Sequence, residues 1–299
     1  MISCLCVTRG DRPALLANAV GDFARQDHAE RELLILHDGD DAAAGAIAAI
    51  VARAPGAHMV RIERVAPGRP LGALRTLAMA RAGGDWVCQW DDDDRYHPQR
   101  LSLQWSLAMR ERAGAVFLVD QLHHFVPTRT LSWDDWSSEP YPMNLIQGSV
   151  LARRDLMPPY PELSRGEDTL QTHALLRRAA ATGARIARLR GKGWCYIYTF
   201  HGANVWDGAH HQAIARAKHL PPAILLPRLG ELRRRLGDYA PALGPATIML
   251  GAETVAAAAT RPVPSNAAES GSGTWAVQTA YSTGYPFTVV RAPPSMYPL

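Results

Sequence analysis

Four consecutive carboxylates, Asp91 to Asp94 in the stretch WDDDDRYHP, constrain this chain more than any other feature. Neighbouring like charges repel, so such a run folds at low cost only where solvent or a cation meets it. The residues before it, Asp85 to Trp90, are an apolar and aromatic run of strand character, and Pro98 opens a helical pattern, RLSLQWSLAMRER. The acids therefore fall where a buried strand emerges, and in an open α/β sheet ligands sit at the carboxyl ends of strands. Hard oxygen ligands there suit Mg2+ or Mn2+, held through one or two carboxylates while substrate phosphates supply other ligands. Taken alone, the run also fits an acidic, solvated loop.

The remaining composition narrows the class. A chain of 299 residues with 47% in the hydrophobic set can bury one sizeable α/β domain with appendages, or two small domains. Its 32 basic against 28 acidic side chains give a net charge of +4, without the basic concentration of a nucleic-acid binder. Cys4, Cys6, Cys88 and Cys195 lie in apolar strand-like runs without metal-site spacing, the pattern of buried thiols in a reducing compartment. No apolar stretch reaches the roughly 18 residues of a spanning helix, and the chain opens on a strand rather than a signal peptide. The expected location is cytoplasmic, with peripheral contact at the inner face of a membrane left open.

Along the chain, strands and helices alternate. Ile2 to Val7 reads as a buried strand, and Pro13 to Gln26 as a helix capped by Asp11. Glu32 to Asp41 is a second strand ending in acids and Gly39, where Asp38 can accept a hydrogen bond from a nucleobase. An Ala-rich helix over 41–53, a strand over 58–63 and a helix over 71–82 follow. The segment 115–126 supplies one long or two short strands, and a loop with Trp133, Trp136 and Tyr141 offers rings that stack on sugars or anchor the loop. Ser164 and Glu167 have capping-box spacing, which puts Glu167 and Asp168 in the first turn of a helix to about Ala181, with Leu170, Ala174, Leu175 and Ala179 inward.

These segments together resemble family 2 glycosyltransferases of the GT-A type over about Ile2 to Gln212. QWDDDDRYHPQRL looks like the family's D-x-D-D segment, which implies Asp93 as metal ligand and Asp91 as its sugar- or ribose-contacting partner, although Asp92 leaves the register open by one. The opening strand and turn correspond to Val7, Thr8, Arg9 and Arg12, making Thr8 and Arg9 donor-binding candidates. The D-D-G-S segment matches at His37, Asp38, Gly39 and Asp40, with histidine in place of the first acid. In G-x-x-x-A-R-N, Gly72 and Arg75 match while Thr76 replaces asparagine; Arg75 would contact the diphosphate or support Asp91. Gly148 and Ser149 correspond to a wall of the sugar pocket. Glu167 and Asp168 resemble the E-D motif, whose aspartate acts as general base in inverting members, with Glu167, Trp133, Trp136 and Tyr141 on the acceptor side. His201 and Asn204 are similar to an H-x-x-N segment, which makes His201 a metal or diphosphate ligand.

The resemblance implies one GT-A, Rossmann-like domain over 1–220 with a mixed, mostly parallel sheet, and a poorly defined C-terminal extension over 221–299. It also implies metal-dependent, inverting transfer from a nucleotide-diphospho-sugar, a UDP-sugar first, to a hydroxyl of a glycan, a lipid-linked sugar or a small molecule. The ion would be Mn2+ or Mg2+. The alternatives are nucleotidyl or phosphoryl transfer, for which no P-loop is present, and a sugar-binding module that has lost activity. Leu229 to Leu236 reads as a short arginine-rich helix. Beyond it, 242–259 suggests a packed element, 261–274 a linker, and 275–299 a hairpin or loose end.

Overall fold

The structure is a computed structural model that describes residues 1–250. The expectations for 251–299, and for the end of the 242–259 element, lie outside the described residues. In chain order the strands and α-helices are β1 (Ile2–Thr8), α1 (Pro13–Ala24), β2 (Arg31–His37), α2 (Asp41–Arg53), β3 (Val60–Arg64), α3 (Leu71–Arg81), β4 (Trp86–Gln89), β5 (Arg95–Tyr96) and α4 (Arg100–Glu111). There follow β6 (Ala113–Leu118), β7 (Asp120–Phe125), β8 (Thr130–Asp135), β9 (Leu151–Arg153), α5 (Glu167–Thr182), β10 (Arg185–Leu189) and β11 (Tyr196–Phe200). The described chain closes with α6 (Gly208–Lys218), α7 (Pro222–Leu225), α8 (Leu229–Leu236) and β12 (Thr247–Ile248). The chain divides into two compact units, one of residues 1–120 and 136–196, the other of 121–135 together with the chain from Ile197.

The first unit is built on a seven-stranded sheet in the order β10-β6-β9-β4-β1-β2-β3. Every neighbouring pair is parallel except those made by β9, which runs antiparallel to both β4 and β6. β1 and β2 are buried almost throughout, as expected of parallel strands covered on both faces. Leu5, Leu34, Leu36, Val87, Ala115 and Phe117 pack with Leu74 and Ala78 of α3 and Leu175 and Ala179 of α5. Burying each large aliphatic side chain contributes roughly 1.5–3 kcal/mol, which fixes both helices to the sheet. All four cysteines are buried and free, as the apolar runs around them implied.

Several local expectations are corrected. α1 is not capped by Asp11: Arg12 holds the N-cap position without a side-chain cap bond, and Pro13 supplies the helical φ of the first turn. α4 opens at Arg100 rather than Pro98, because the His97 Nδ1 accepts from the Gln99 N–H while Pro98 gives its carbonyl to the Asp27 N–H. The Ser164–Glu167 capping box does not form; Gly166 takes the N-cap of α5 at φ 74°, a conformation that favours glycine. This helix start turns the buried face of α5 to Glu167, Gln171, Thr172, Leu175, Leu176 and Ala179, leaving Leu170 half exposed.

In the second unit the strand order is β12-β8-β7-β11, with β11 parallel to β7 and β12 parallel to β8. Its interior carries a polar chain of three fully buried residues: Asp134 lies 3.0 Å from His123 Nδ1, and His123 Nε2 lies 2.9 Å from His211 Nδ1. Among the described residues no helix is long and apolar enough to cross a membrane.

Candidate functional site

Two parallel strands of the first unit, β1 and β2, end side by side, with Thr8 in register with His37. A cleft of about 500 Å3 opens there, lined by Arg9, Asp38, Gly39, Gly68, Arg69, Pro70 and Ser164. Gly39 is required by close approach: a Cβ on it would stand 2.3 Å from the Arg9 carbonyl oxygen. Asp38 is half-buried in this cleft, and its side chain makes no hydrogen bond or ion pair among the described residues. Arg69 and Ser164 complete the lining; in the sequence Ser164 reads only as half of a capping box and Arg69 belongs to no motif, lying in a Pro/Gly loop. Thr8 is buried and turned away from the cleft, its hydroxyl donating to Asp92 at 2.5 Å while accepting from the Gly10 N–H.

The four acids following β4 have different surroundings. Asp91 accepts from Arg75 at 2.9 Å on one oxygen and from the Gln89 amide at 2.8 Å on the other. Asp92 is buried, held by the Thr8 hydroxyl and by Arg12 at 2.7 Å. Burial pushes its carboxyl up to about 7, with Asp93 adding to the rise and Arg12 and Thr8 opposing it. Asp93 is half-buried and accepts from the other arm of Arg12 at 2.6 Å. Asp94 is buried under the Tyr196 hydroxyl, which donates to it at 2.5 Å.

Beneath the run, Trp90, Tyr96 and Tyr196 stack in sequence, and the buried Arg100 guanidinium lies 4.6 Å from the Tyr96 ring centre. Asp22 of α1 fixes the far end, accepting from Arg95 at 2.8 Å and from the Tyr96 N–H at 2.9 Å. These supports are separated from the acids by up to about a hundred residues of chain and no local pattern announced them.

Arg75 on α3 is the joint of the site. Its guanidinium donates to Asp91 at 2.9 Å and forms an ion pair with Glu167 at 3.1 Å without an aligned hydrogen bond, over the ring of Tyr160. Burial would lower its pKa, but Asp91, then Tyr160, Glu167 and Asp168, outweigh it and raise it. Burial raises the Glu167 carboxyl, and Arg75 opposes that rise without cancelling it. The loop before α5 reaches α3 because Gly72 has no Cβ, which would meet the Pro161 carbonyl oxygen at 1.8 Å, and because Thr76 exchanges hydrogen bonds with Tyr160. Arg75 therefore takes the supporting role toward Asp91, and it joins Asp91 to the start of α5. Asp168, next to Glu167, is half-buried and accepts from the Thr169 N–H.

The other candidates lie on other elements. Trp133 is corrected: it is a buried residue of β8, not of a loop, because this segment pairs as a strand and its indole packs under the Arg228 guanidinium. Trp136 is half-buried and Tyr141 exposed in the loop that follows. Gly148 faces the acid run, a Cβ there lying 3.7 Å from Asp91, whereas Ser149 is buried and serves the backbone of Leu118 and Ile146. In the second unit, His201 lies just past β11; its N–H donates to Asn204 and its Nδ1 accepts from the Ala203 N–H, a locally closed turn.

Among the described residues no three His, Cys, Asp or Glu side chains surround a common metal position. The donor set still fits a nucleotide-bound Mg2+ or Mn2+, since such ions are held by one or two carboxylates and complete their shell with phosphates and water. Asp91 and Asp93, both half-buried at a strand end, supply such oxygens.

Comparison with known proteins bears on the family and the fold. Residues 5–152 match the model of the family described as Glycosyl transferase family 2, a span that contains Asp38, Arg75 and the acid run and stops before Glu167. Among curated proteins no sequence matches. Among solved structures, TarS 1-349 of S. aureus in complex with UDP-GlcNAc superposes with a TM-score of 0.55 at 16% identity, covering 80% of this chain and 67% of that one. A second TarS structure of S. aureus superposes at 0.52, with 16% identity over 86% of this chain and 50% of that one. The mannosyltransferase PcManGT from Pyrobaculum calidifontis, in complex with GDP-Man and Mn2+, superposes at 0.52 and 15% identity over 88% of this chain and 76% of that one. Residues 5–152 are thus matched to family 2 glycosyltransferases, and the fold is that of the GT-A type.

Proposed function

We propose that the protein transfers a sugar from a nucleotide-diphospho-sugar to an acceptor hydroxyl with inversion at the anomeric carbon, and that the transfer depends on a divalent cation. The observation that carries this reading is the Arg75 bridge, which links the acid expected on the donor side, Asp91, to the first turn of α5, where Asp168 stands. In this reading Asp38 accepts from the nucleobase in the cleft beside Arg9, while Asp91 and Asp93 hold the ion. That ion, when bound, would offset diphosphate charge in the leaving group. Asp168 takes the proton of the acceptor hydroxyl as its oxygen attacks opposite the leaving diphosphate, so that oxygen must come within about 3 Å of the carboxylate. Trp136 and Tyr141 are the rings proposed to meet the acceptor sugar. The transferase domain is proposed to span 1–220.

A uridine donor is favoured as the first candidate. TarS, similar in fold, is known in complex with UDP-GlcNAc and with UDP, while the mannosyltransferase in complex with GDP-Man makes guanosine the second to try. A screen of nucleotide sugars against mixed glycan, lipid-linked and small acceptors, read by mass spectrometry, tests the reading. The expected result is a product heavier than the acceptor by one sugar, formed only with divalent cation and reduced at least about 100-fold in Asp168→Asn. Product formation undiminished by chelator, or by that variant, contradicts it.

A further inference from the structure

The acid run carries an internal counter-cation. Arg12, at the N-cap of α1, spreads its guanidinium across two successive carboxylates, one nitrogen 2.7 Å from Asp92 and the other 2.6 Å from Asp93. Asp92 is additionally fixed by Thr8, and its side chain is 3% exposed, whereas Asp93 is at the 18% exposed edge of the fork. The Arg12 side chain is itself 30% exposed, against 12% for Arg75. The two arginines thus differ in what they can yield: Arg75 is sealed between Asp91 and Glu167, and Arg12 stands at the solvent side of the carboxylate expected to bind the metal.

A divalent ion binds carboxylate oxygen at about 2.0–2.2 Å. Arg12 NH1 already stands 2.6 Å from one Asp93 oxygen. An ion on that oxygen and the guanidinium would be two cations within about 5 Å, partly shielded from water, and they repel. We propose that Arg12 sets the affinity of the acid run for its divalent cation: it occupies the Asp92–Asp93 fork in the ion-free protein and must release Asp93 when the ion binds. The proposal rests on the reading of Asp93 as a metal-holding residue. It makes Arg12 a competitor of the metal for Asp93. A planar guanidinium can span both carboxylates, which the single ammonium of lysine does less well, so the competition depends on arginine in particular.

The test is Mn2+ alone, titrated into the full chain and followed by calorimetry or by loss of the free-ion electron paramagnetic resonance signal. Arg12→Gln is expected to bind Mn2+ about tenfold more tightly than the parent, Arg12→Lys to fall between them, and Asp93→Asn to lose the site. Added Mn2+ should raise the melting temperature of Arg12→Gln by more than it raises that of the parent. Should Arg12→Gln not fold, Arg12→Lys carries the comparison. If the parent binds Mn2+ and Asp93→Asn does not, yet the Arg12 variants bind it equally or more weakly than the parent, the Arg12 proposal is overturned while the metal assignment stands. If the parent binds no Mn2+ either alone or with UDP present, or Asp93→Asn binds it unchanged, both fall.

Discussion

The two arginine clamps on the acid run differ in kind. Arg75 comes from the middle of a packed helix, is almost sealed from solvent, and bridges two carboxylates from different parts of the chain, Asp91 and Glu167. Arg12 comes from an uncapped helix start, is more exposed, and forks onto two adjacent carboxylates of one loop. Burial makes the first clamp an architectural joint, because removing it strands charges in a low-dielectric setting. Partial solvation makes the second exchangeable, because water and ions can replace the guanidinium. The run is thereby fixed at Asp91 and adjustable at Asp93.

The largest expected effect lies at the residue that the Arg75 joint places. Asp168→Asn should lower kcat by about 10²- to 10⁴-fold and leave donor binding nearly unchanged, checked by steady-state kinetics beside donor titration. An unchanged kcat would remove the reason for connecting the start of α5 to the acids.

Breaking the joint itself should show in stability as well as rate. Arg75→Met leaves Glu167 and Asp91 without their shared partner and is expected to cost about 3–5 kcal/mol in chemical denaturation. Arg75→Lys should recover only part of this, since an ammonium cannot reproduce a fork on two acids. By contrast, Arg12→Gln should cost less than Arg75→Met in the absence of metal, because Asp93 and the outer part of Arg12 are partly solvated and only Asp92 is left buried without its cation. Equal losses for the Arg75 and Arg12 variants would abolish the distinction between fixed and adjustable clamps.

Much of this arrangement is legible in the sequence, and the boundary is physical. The acids after an apolar run, the β2 end at Asp38 and the helix bearing Arg75 are local patterns, and strand burial with helical periodicity places them at one edge of a sheet. The partners of those acids are not local. Thr8 and Arg12 reach across about eighty residues of sequence, and Tyr196 across 102. Cap signals misled for a related reason: Asp11 and Ser164 have the right chemistry, but Arg12 has two stronger acceptors elsewhere and Gly166 opens α5 in a left-handed conformation. Trp133 looked like a loop residue because serine and two aspartates surround it; pairing of β8 hides it.

A smaller effect separates the open end of the site from the clamped one. Asp38→Asn should raise the donor KM by roughly 10- to 100-fold with little change in kcat, the range for a hydrogen bond to a charged acceptor. It should also narrow the preference between uridine and guanosine donors. A kcat loss as large as that of Asp168→Asn would place Asp38 in the chemistry instead of in base recognition.

The most direct test is calorimetric titration of UDP, GDP and dTDP into the parent chain and Asp93→Asn, each with and without Mn2+. The predicted result is diphosphate binding by the parent that requires Mn2+, is tightest for UDP, and disappears in Asp93→Asn. Diphosphate binding that is indifferent to both Mn2+ and Asp93, or no binding of any of the three, would contradict a metal-dependent nucleotide-sugar site at these strand ends.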